Sequence, residues 1–333
     1  MCSKRPINIG ILGAASIAVR SVVPSIVRLQ DHFNLTAIAS NNLDKLNSLE
    51  LPIGCKLYDK YEDLACDDSI EAVYIPLPNG LHYYYAMMCL MHDKHLLVEK
   101  SLGCTFSQVL EMTNVAKSKN LALLENFQFV HHSQLKTILE FLRSGKIGEL
   151  RSVRVSFGFP PFADSDNIRY KPELGGGALL DAGVYALKIC PLFLGNTLKI
   201  TQATMIYDNL KRVDVLGFGT VQQKSGSLFC QFSYGFDTFY QCSLELLGTA
   251  GKLTTNRIFT SPSDLKPVLM HETCGKIVKH VLESDNHFEK MLRYFYCLVD
   301  DPQIKSKEFE SNLIQAKLIE EFKSISTISD YKN

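Results

Sequence analysis

Apolar runs of strand length alternate with stretches of helical periodicity through the first 127 residues. INIGILG (7–13) is a β-rich run closing on Gly13, and SIAVRSVVPSIVRLQ (16–30) has helical spacing that Pro24 should kink or break. LTAIAS (35–40) reads as a second strand and DKLNSLEL (44–51) as a helix behind it. EAVYIPLP (71–78), HLLVEKS (95–101) and LALLENF (121–127) are further strands, separated by helical patterns at 82–93 and 105–120. Strands alternating with helices predict βαβ units and a doubly wound parallel sheet.

The texture changes near residue 125. A helical pattern at 133–145 precedes long strand-like runs at 149–159, 214–223, 227–236, 238–248 and 252–259. KSG at 224–226 and GTAG at 248–251 supply turn chemistry, so these runs predict an antiparallel sheet. Helical periodicity returns at 286–299 and 307–325. The fold class is therefore α/β: a Rossmann domain over 1–124, then an α+β domain over 125–333. The later strands carry Leu228, Cys230, Phe232 and Tyr234 on one face and Phe229 on the other, so both faces are expected to be covered.

Composition narrows the function. The 333 residues are 46% apolar and 21% charged, with Lys+Arg and Asp+Glu balanced at 35 each. No global field draws the chain to nucleic acid or an anionic membrane. The ten cysteines include no C-x-x-C pair, so reduced, mostly buried thiols are expected rather than a metal site or a disulfide scaffold. The N-terminus has the basic and small residues of a secretion signal, but its apolar run is better read as a first strand because later strands follow it in order. No apolar run approaches the roughly 20 residues that span a bilayer. A cytoplasmic location is expected.

The turn after the first strand sits where a dinucleotide fingerprint belongs. Gly13 holds the tight-turn position, Ala15 and Ala18 replace the second and third glycines, and Ser16 and Ile17 open the helix. The second strand ends Ser40-Asn41-Asn42, with Lys45 shortly after, and has no acid for a ribose 2′-hydroxyl. Hydroxyl, amide and ammonium donors suit a 2′-phosphate, which favours NADP, with NAD possible. A polar loop that merely caps a helix has the same composition. Pro76, Leu77, Asn79 and His82, in PLPNGLH, form a stiff loop suited to lying along a cofactor. Glu99 and Lys100 close the strand HLLVEKS, at the edge where ligands bind in open α/β sheets.

One more segment stands out: GGGALLDAGVYALK (175–188) sets three glycines before Asp181 and Tyr185, which share a face if the segment is helical. IGILGAASIA, YIPLPNGLH, VEKSLG, ENFQFVHHSQ and GGGALLDAGVY, in this order, resemble the Gfo/Idh/MocA oxidoreductases over nearly the whole chain. Within that family, FPPFADSDNIRY and PELGGGALLDAGVYALK are most similar to the nucleotide-sugar 3-ketoreductases of deoxysugar biosynthesis.

The resemblance implies a Rossmann domain joined to a large open antiparallel sheet that mediates homodimers or homotetramers. It implies Lys100 as catalytic lysine, Tyr185 as second acid/base group and Asp181 on the same helix face. Ser101 stands where the family has proline. The implied activity is NADPH-dependent reduction of a keto group, at C3, of a nucleotide-activated keto-deoxyhexose. The glycines would then let the backbone pass close to substrate and cofactor. For such a substrate, Asn126, His131 and His132 are candidates to touch the sugar or its phosphates. Arg169 and Tyr170 are candidates to hold a diphosphate and stack a base. An aldose, inositol or dihydrodiol dehydrogenase would have the same fold and catalytic pair. A non-catalytic NADP-binding regulator would keep the fold alone.

Overall fold

The computed structural model describes residues 5–42 and 51–331. Lys45 and the helix expected over 44–51 therefore lie outside the described residues. Contacts gather the chain into two compact units, Met1–Asn126 with Phe288–Leu313, and Phe127–His287 with Ile314–Asn333.

In the first unit, β1 (Ile7–Leu12), β2 (Phe33–Ala39), β3 (Lys56–Tyr58), β4 (Ala72–Ile75), β5 (His95–Glu99) and β6 (Leu123–Asn126) form one sheet ordered β3-β2-β1-β4-β5-β6. Every pair in it is parallel. The order reverses at β1, which leaves a crevice at the carboxyl ends of β1 and β4. The helices are α1 (Val23–Arg28), α2 (Tyr61–Cys66), α3 (Asn79–Met91) and α4 (Phe106–Ser118). Pro24 does not break its helix. Proline lacks an N–H and crowds the carbonyl four residues back, and the chain responds with a π turn over Ala18–Val22, in which Val23 N–H reaches Ala18 O.

In the second unit, α5 (Ser133–Arg143) leads into β7 (Leu150–Gly158). A π turn at Leu179–Gly183 then opens the helix continued by α6 (Val184–Leu194). There follow β8 (Leu198–Asp208), β9 (Val213–Gln223), β10 (Phe229–Gly235), β11 (Gln241–Gly248), β12 (Gly251–Asn256), β13 (Val268–Thr273) and β14 (Lys276–Val281). The chain ends with α7 (His287–Leu298), α8 (Pro302–Ile325) and β15 (Thr327–Asp330). The nine-stranded sheet is ordered β14-β13-β12-β11-β7-β10-β9-β8-β15.

This sheet is mixed rather than wholly antiparallel, because β10 pairs parallel with β7 and β15 parallel with β8. One face buries Val155, Phe157, Cys230, Phe232, Tyr234 and Leu244. Helix α6, buried from Val184 to Cys190, packs on β7, β9 and β10. It belongs to the stretch Pro172–Leu194, which by length and composition could cross a membrane but is mostly buried. The other face is more polar than the sequence suggested. Gln231 and Ser233 are exposed there, beside half-buried Phe229 and exposed Phe218.

The sequence reading placed residues 288–313 in the second domain, whereas their contacts are with the first unit. The apolar face of α7 explains this. Met291, Leu292, Phe295 and Leu298 join Ile9, Ile26, Phe33 and Leu97 in one buried cluster. Phe295 stacks on Phe33 at 6.4 Å between ring centres, and the Arg28 guanidinium meets Glu289 at 2.6 Å. Helical periodicity marks which face is apolar but not which sheet that face covers. Phe295→Ala is expected to cost the first unit about 3–5 kcal/mol, the usual range for a buried phenylalanine. Denaturant unfolding followed by circular dichroism measures it, and a change below about 1 kcal/mol would mean that α7 is not part of this core.

Candidate active site

The β1 turn has the shape a dinucleotide requires. Gly13 has φ +113°, and a Cβ there would lie 2.8 Å from the Leu77 side chain, so glycine lets this turn pack on the β4–α3 loop. Ala14 and Ala15 are half-buried and Ser16 is exposed. The first backbone bond of the helix runs from Val19 N–H to Ala15 O. The amides of residues 15–18, Ile17 included, thus precede the helical ladder, as in a cradle for a pyrophosphate. These residues fit a dinucleotide.

At the end of β2, Ser40 is buried and spent on its own loop. Its hydroxyl accepts Asn42 N–H at 3.1 Å and donates to Asn42 O at 2.9 Å. It shapes the loop rather than offering a donor, and exposed Asn41 is the better placed of the two for a ligand.

Lys100 follows β5, half-buried, and the peptide joining it to Ser101 is cis. Three side chains hold the backbone just beyond it. Asn79 Oδ1 accepts Ser101 N–H at 3.2 Å, His82 Nδ1 lies 2.7 Å from Ser101 O, and Glu125 Oε1 accepts Leu102 N–H at 2.9 Å. A proline at 101 would have no N–H for Asn79, so serine exchanges a rigid ring for a hydrogen bond.

His82 is corrected by this arrangement. It is fully buried, and its Nε2 lies 2.7 Å from Leu77 O, so the ring ties the Pro76-Leu77 loop to the Lys100 loop instead of meeting a cofactor. Burial pushes its imidazole down to about 4, outweighing the two carbonyls. Glu99 and Asn126 are corrected in the same way. Glu99 Oε1 accepts the Tyr74 hydroxyl at 2.7 Å and Asn126 Nδ2–H at 2.6 Å, across the register in which Glu99 faces Asn126. Burial raises the Glu99 carboxyl above its ordinary range against these donors and the Lys100 charge. Asn126, 1% exposed, anchors Glu99 and does not reach outward.

In the second unit, Tyr185 is 6% exposed and its ring is caged. Phe127, Phe157 and Phe259 lie 5.3, 5.1 and 5.3 Å away between ring centres, with Phe129 at 5.9 Å. Edge-on and tilted ring contacts of this kind fix the plane of the ring. Asp181, on the π turn one helical turn earlier, accepts Arg169 Nε–H at 2.6 Å. Arg169 therefore pairs with the carboxylate on Tyr185's own helix.

Tyr170 is no stacking platform. It is buried, its hydroxyl accepts Phe162 N–H at 3.3 Å, and the Lys211 ammonium sits 3.7 Å from its ring centre. His132 is likewise structural, since its Nδ1 accepts Gln134 N–H and caps α5, and its ring packs on His287 at 5.4 Å. Half-buried His131 remains a ligand candidate. Burial, with Lys188 nearby, pushes its imidazole down to about 4, so it would meet phosphate as a neutral group.

The glycines also have a different use from the one expected. A Cβ on Gly176 would lie 2.6 Å from Arg169 O, and one on Gly177 2.3 Å from Asp214 Oδ1. They admit protein backbone and a carboxylate, not a ligand. Sequence reasoning missed Asp214, Glu125, Lys188 and the aromatic cage. Lys188 had a signal, being a lone charge in an apolar helix three residues after Tyr185, and its ammonium lies 5.0 Å from the Phe127 ring centre. Asp214 had none, as an acid beginning a strand is ordinary.

A family described as an oxidoreductase family with an NAD-binding Rossmann fold matches residues 7–127, and the GFO/IDH/MocA C-terminal domain matches residues 135–254. The chain is 35% identical over 323 residues to the dTDP-3,4-didehydro-2,6-dideoxy-alpha-D-glucose 3-reductase of Saccharopolyspora spinosa, covering 95% of this chain and 96% of that protein. It is 28% identical over 312 residues to the D-xylose 1-dehydrogenase (NADP(+)) 2 of Haloferax volcanii, covering 93% and 94%. Among solved structures, a 3-ketoreductase from Actinomadura kijaniata in complex with NADP and TDP-benzene matches with a TM-score of 0.92 at 32% identity, covering 98% of this chain and 100% of that one. The chain belongs to the Gfo/Idh/MocA oxidoreductase family.

Proposed function

We propose that this protein is an NADPH-dependent 3-ketoreductase acting on a dTDP-linked keto-deoxyhexose. The observation that carries the reading is similarity over nearly the full length to enzymes of that activity, at 35% identity with the Saccharopolyspora spinosa reductase. Retention of Lys100 at the end of β5 and of the caged Tyr185 supports turnover over a purely regulatory role.

Gly13, Ala15, Ser16 and Ile17 would hold the pyrophosphate and Asn41 the 2′-phosphate. NADPH, when bound, supplies hydride to the ketone carbon. Lys100 stabilises the negative charge that grows on the ketone oxygen, and the Tyr185 hydroxyl hands a proton to it. Asn79, His82 and Glu125 keep the Lys100 backbone in place, and the phenylalanine cage keeps the phenol aimed. The Asp181–Arg169 pair leaves Asp181 as a hydrogen-bond acceptor for sugar hydroxyls. A cytoplasmic location goes with this biosynthetic reading. The open face of the nine-stranded sheet, with Phe218 52% exposed, is assigned to a homo-oligomer.

NADPH oxidation at 340 nm with dTDP-, UDP-, GDP- and CDP-linked keto-hexoses tests the activity. Turnover confined to the dTDP series is expected; silence there with oxidation of free D-xylose by NADP would replace the reading with that of an aldose dehydrogenase. Lys100→Ala should lower kcat at least about 100-fold while NADPH still binds, as judged by its fluorescence. Near-normal kcat in that variant would remove Lys100 from the chemistry. Light scattering should give a dimer or larger, which Phe218→Glu shifts towards monomer; a wild-type monomer would refute the assignment of the open face.

A further inference from the structure

The helix that carries Asp181 and Tyr185 starts immediately after the glycines, and its first turn takes an acceptor from outside itself. Leu179 N–H donates to Asp214 Oδ2 at 2.7 Å. Asp214 is the second residue of β9, so the bond pins the start of the helix to the sheet beneath it. An acid in that role would normally be carried by the helix's own chain, just before its first turn. Here it arrives from a strand thirty-five residues later.

The space for it is made by absent side chains. Gly177 has φ +110°, and a Cβ on it would lie 2.3 Å from Asp214 Oδ1. On the far side, a Cβ on Gly217 would lie 2.3 Å from the Tyr234 hydroxyl, and one on Gly183 would lie 3.0 Å from the Tyr234 ring. Two elements, the helix start and β9, thus omit side chains around one carboxylate and one phenol. Burial pushes the Asp214 carboxyl up to about 6, against the Leu179 and Asp214 amides and the Lys323 charge. Burial and the Asp214 carboxylate together push the Tyr234 phenol well above its ordinary range. A carboxylate held at such a disadvantage marks a position where an acceptor is needed, since an apolar residue would fill the recess without that penalty.

We propose that Asp214 is a positioning residue of the reaction: by accepting the Leu179 amide in the recess left by Gly177, it sets the first turn of the helix and thereby the aim of Tyr185. The inference rests on the ketoreductase reading above and deepens it. Asp214 need not touch substrate or cofactor. Its contribution is passed on along the helix from Leu179 to Tyr185, where small displacements of a catalytic group lower rate steeply.

The test compares Asp214→Ala and Asp214→Asn in the wild-type and Tyr185→Phe backgrounds. Asp214→Ala should lower kcat about 10- to 100-fold with KM and NADPH affinity little changed, in line with the sensitivity of rate to misplacement. Asp214→Asn, whose amide oxygen still accepts the Leu179 N–H, should recover most of that loss. In the Tyr185→Phe background, Asp214→Ala should add almost nothing. Equal fractional losses in both backgrounds, or an unchanged kcat, would overturn the proposal. If alanine prevents folding, Asp214→Ser takes its place, as its hydroxyl falls short of the amide. Hydrogen exchange of residues 175–188 supplies an arm independent of activity. Faster exchange in the alanine or serine variant but not in Asp214→Asn supports the anchor even if wild-type protein reduces no keto-sugar, which would defeat only the ketoreductase reading. Unchanged exchange defeats the anchor itself.

Discussion

Where the parallel strand β5 ends before Lys100 it leaves its hydrogen-bond ladder, and its next backbone groups need other partners. The first unit answers this with Asn79, His82 and Glu125, which take Ser101 N–H, Ser101 O and Leu102 N–H. Asn79 and His82 come from α3, which precedes β5 in the chain, and Glu125 from β6, its neighbour in the sheet. Buried backbone groups without partners would cost as much as lost hydrogen bonds, so this arrangement keeps Lys100 at the edge of the sheet without local unfolding.

The second unit solves a related problem by packing. Four phenylalanines grip the Tyr185 ring by its edges and faces, which limits its freedom. The helix beneath the ring is fixed at its start by Asp214 and at Asp181 by Arg169. Together the two units show polar side chains spent on backbone around the lysine, and apolar ones spent on ring placement around the tyrosine.

Several residues that lie within functional motifs turn out to be internal ties. His82, Asn126, His132 and Tyr170 are each buried and make a hydrogen bond within the protein. A buried polar group must be hydrogen-bonded, and the loops of a site supply unpaired amides and carbonyls in abundance. Polar residues near a motif are thus drawn inward as often as toward a ligand. Ser40 and Glu99 follow the same logic.

Much was legible from the sequence alone. Local periodicity and the glycine turn determined the strand–helix alternation, the Rossmann unit and the position of Lys100 at a strand's end, because each depends on residues close together in the chain. Tertiary structure decided whatever depends on contacts between distant segments: the return of α7 to the first unit, the parallel pairing of β10 with β7, and the Arg169–Asp181 pair. It also decided the purpose of the glycines at 176 and 177, whose neighbours are Arg169 O and Asp214. The strands β8, β13, β14 and β15 escaped notice for a physical reason. Each keeps exposed or half-buried positions along much of its length, so no strong apolar alternation marks it, and only pairing with a neighbour makes it a strand.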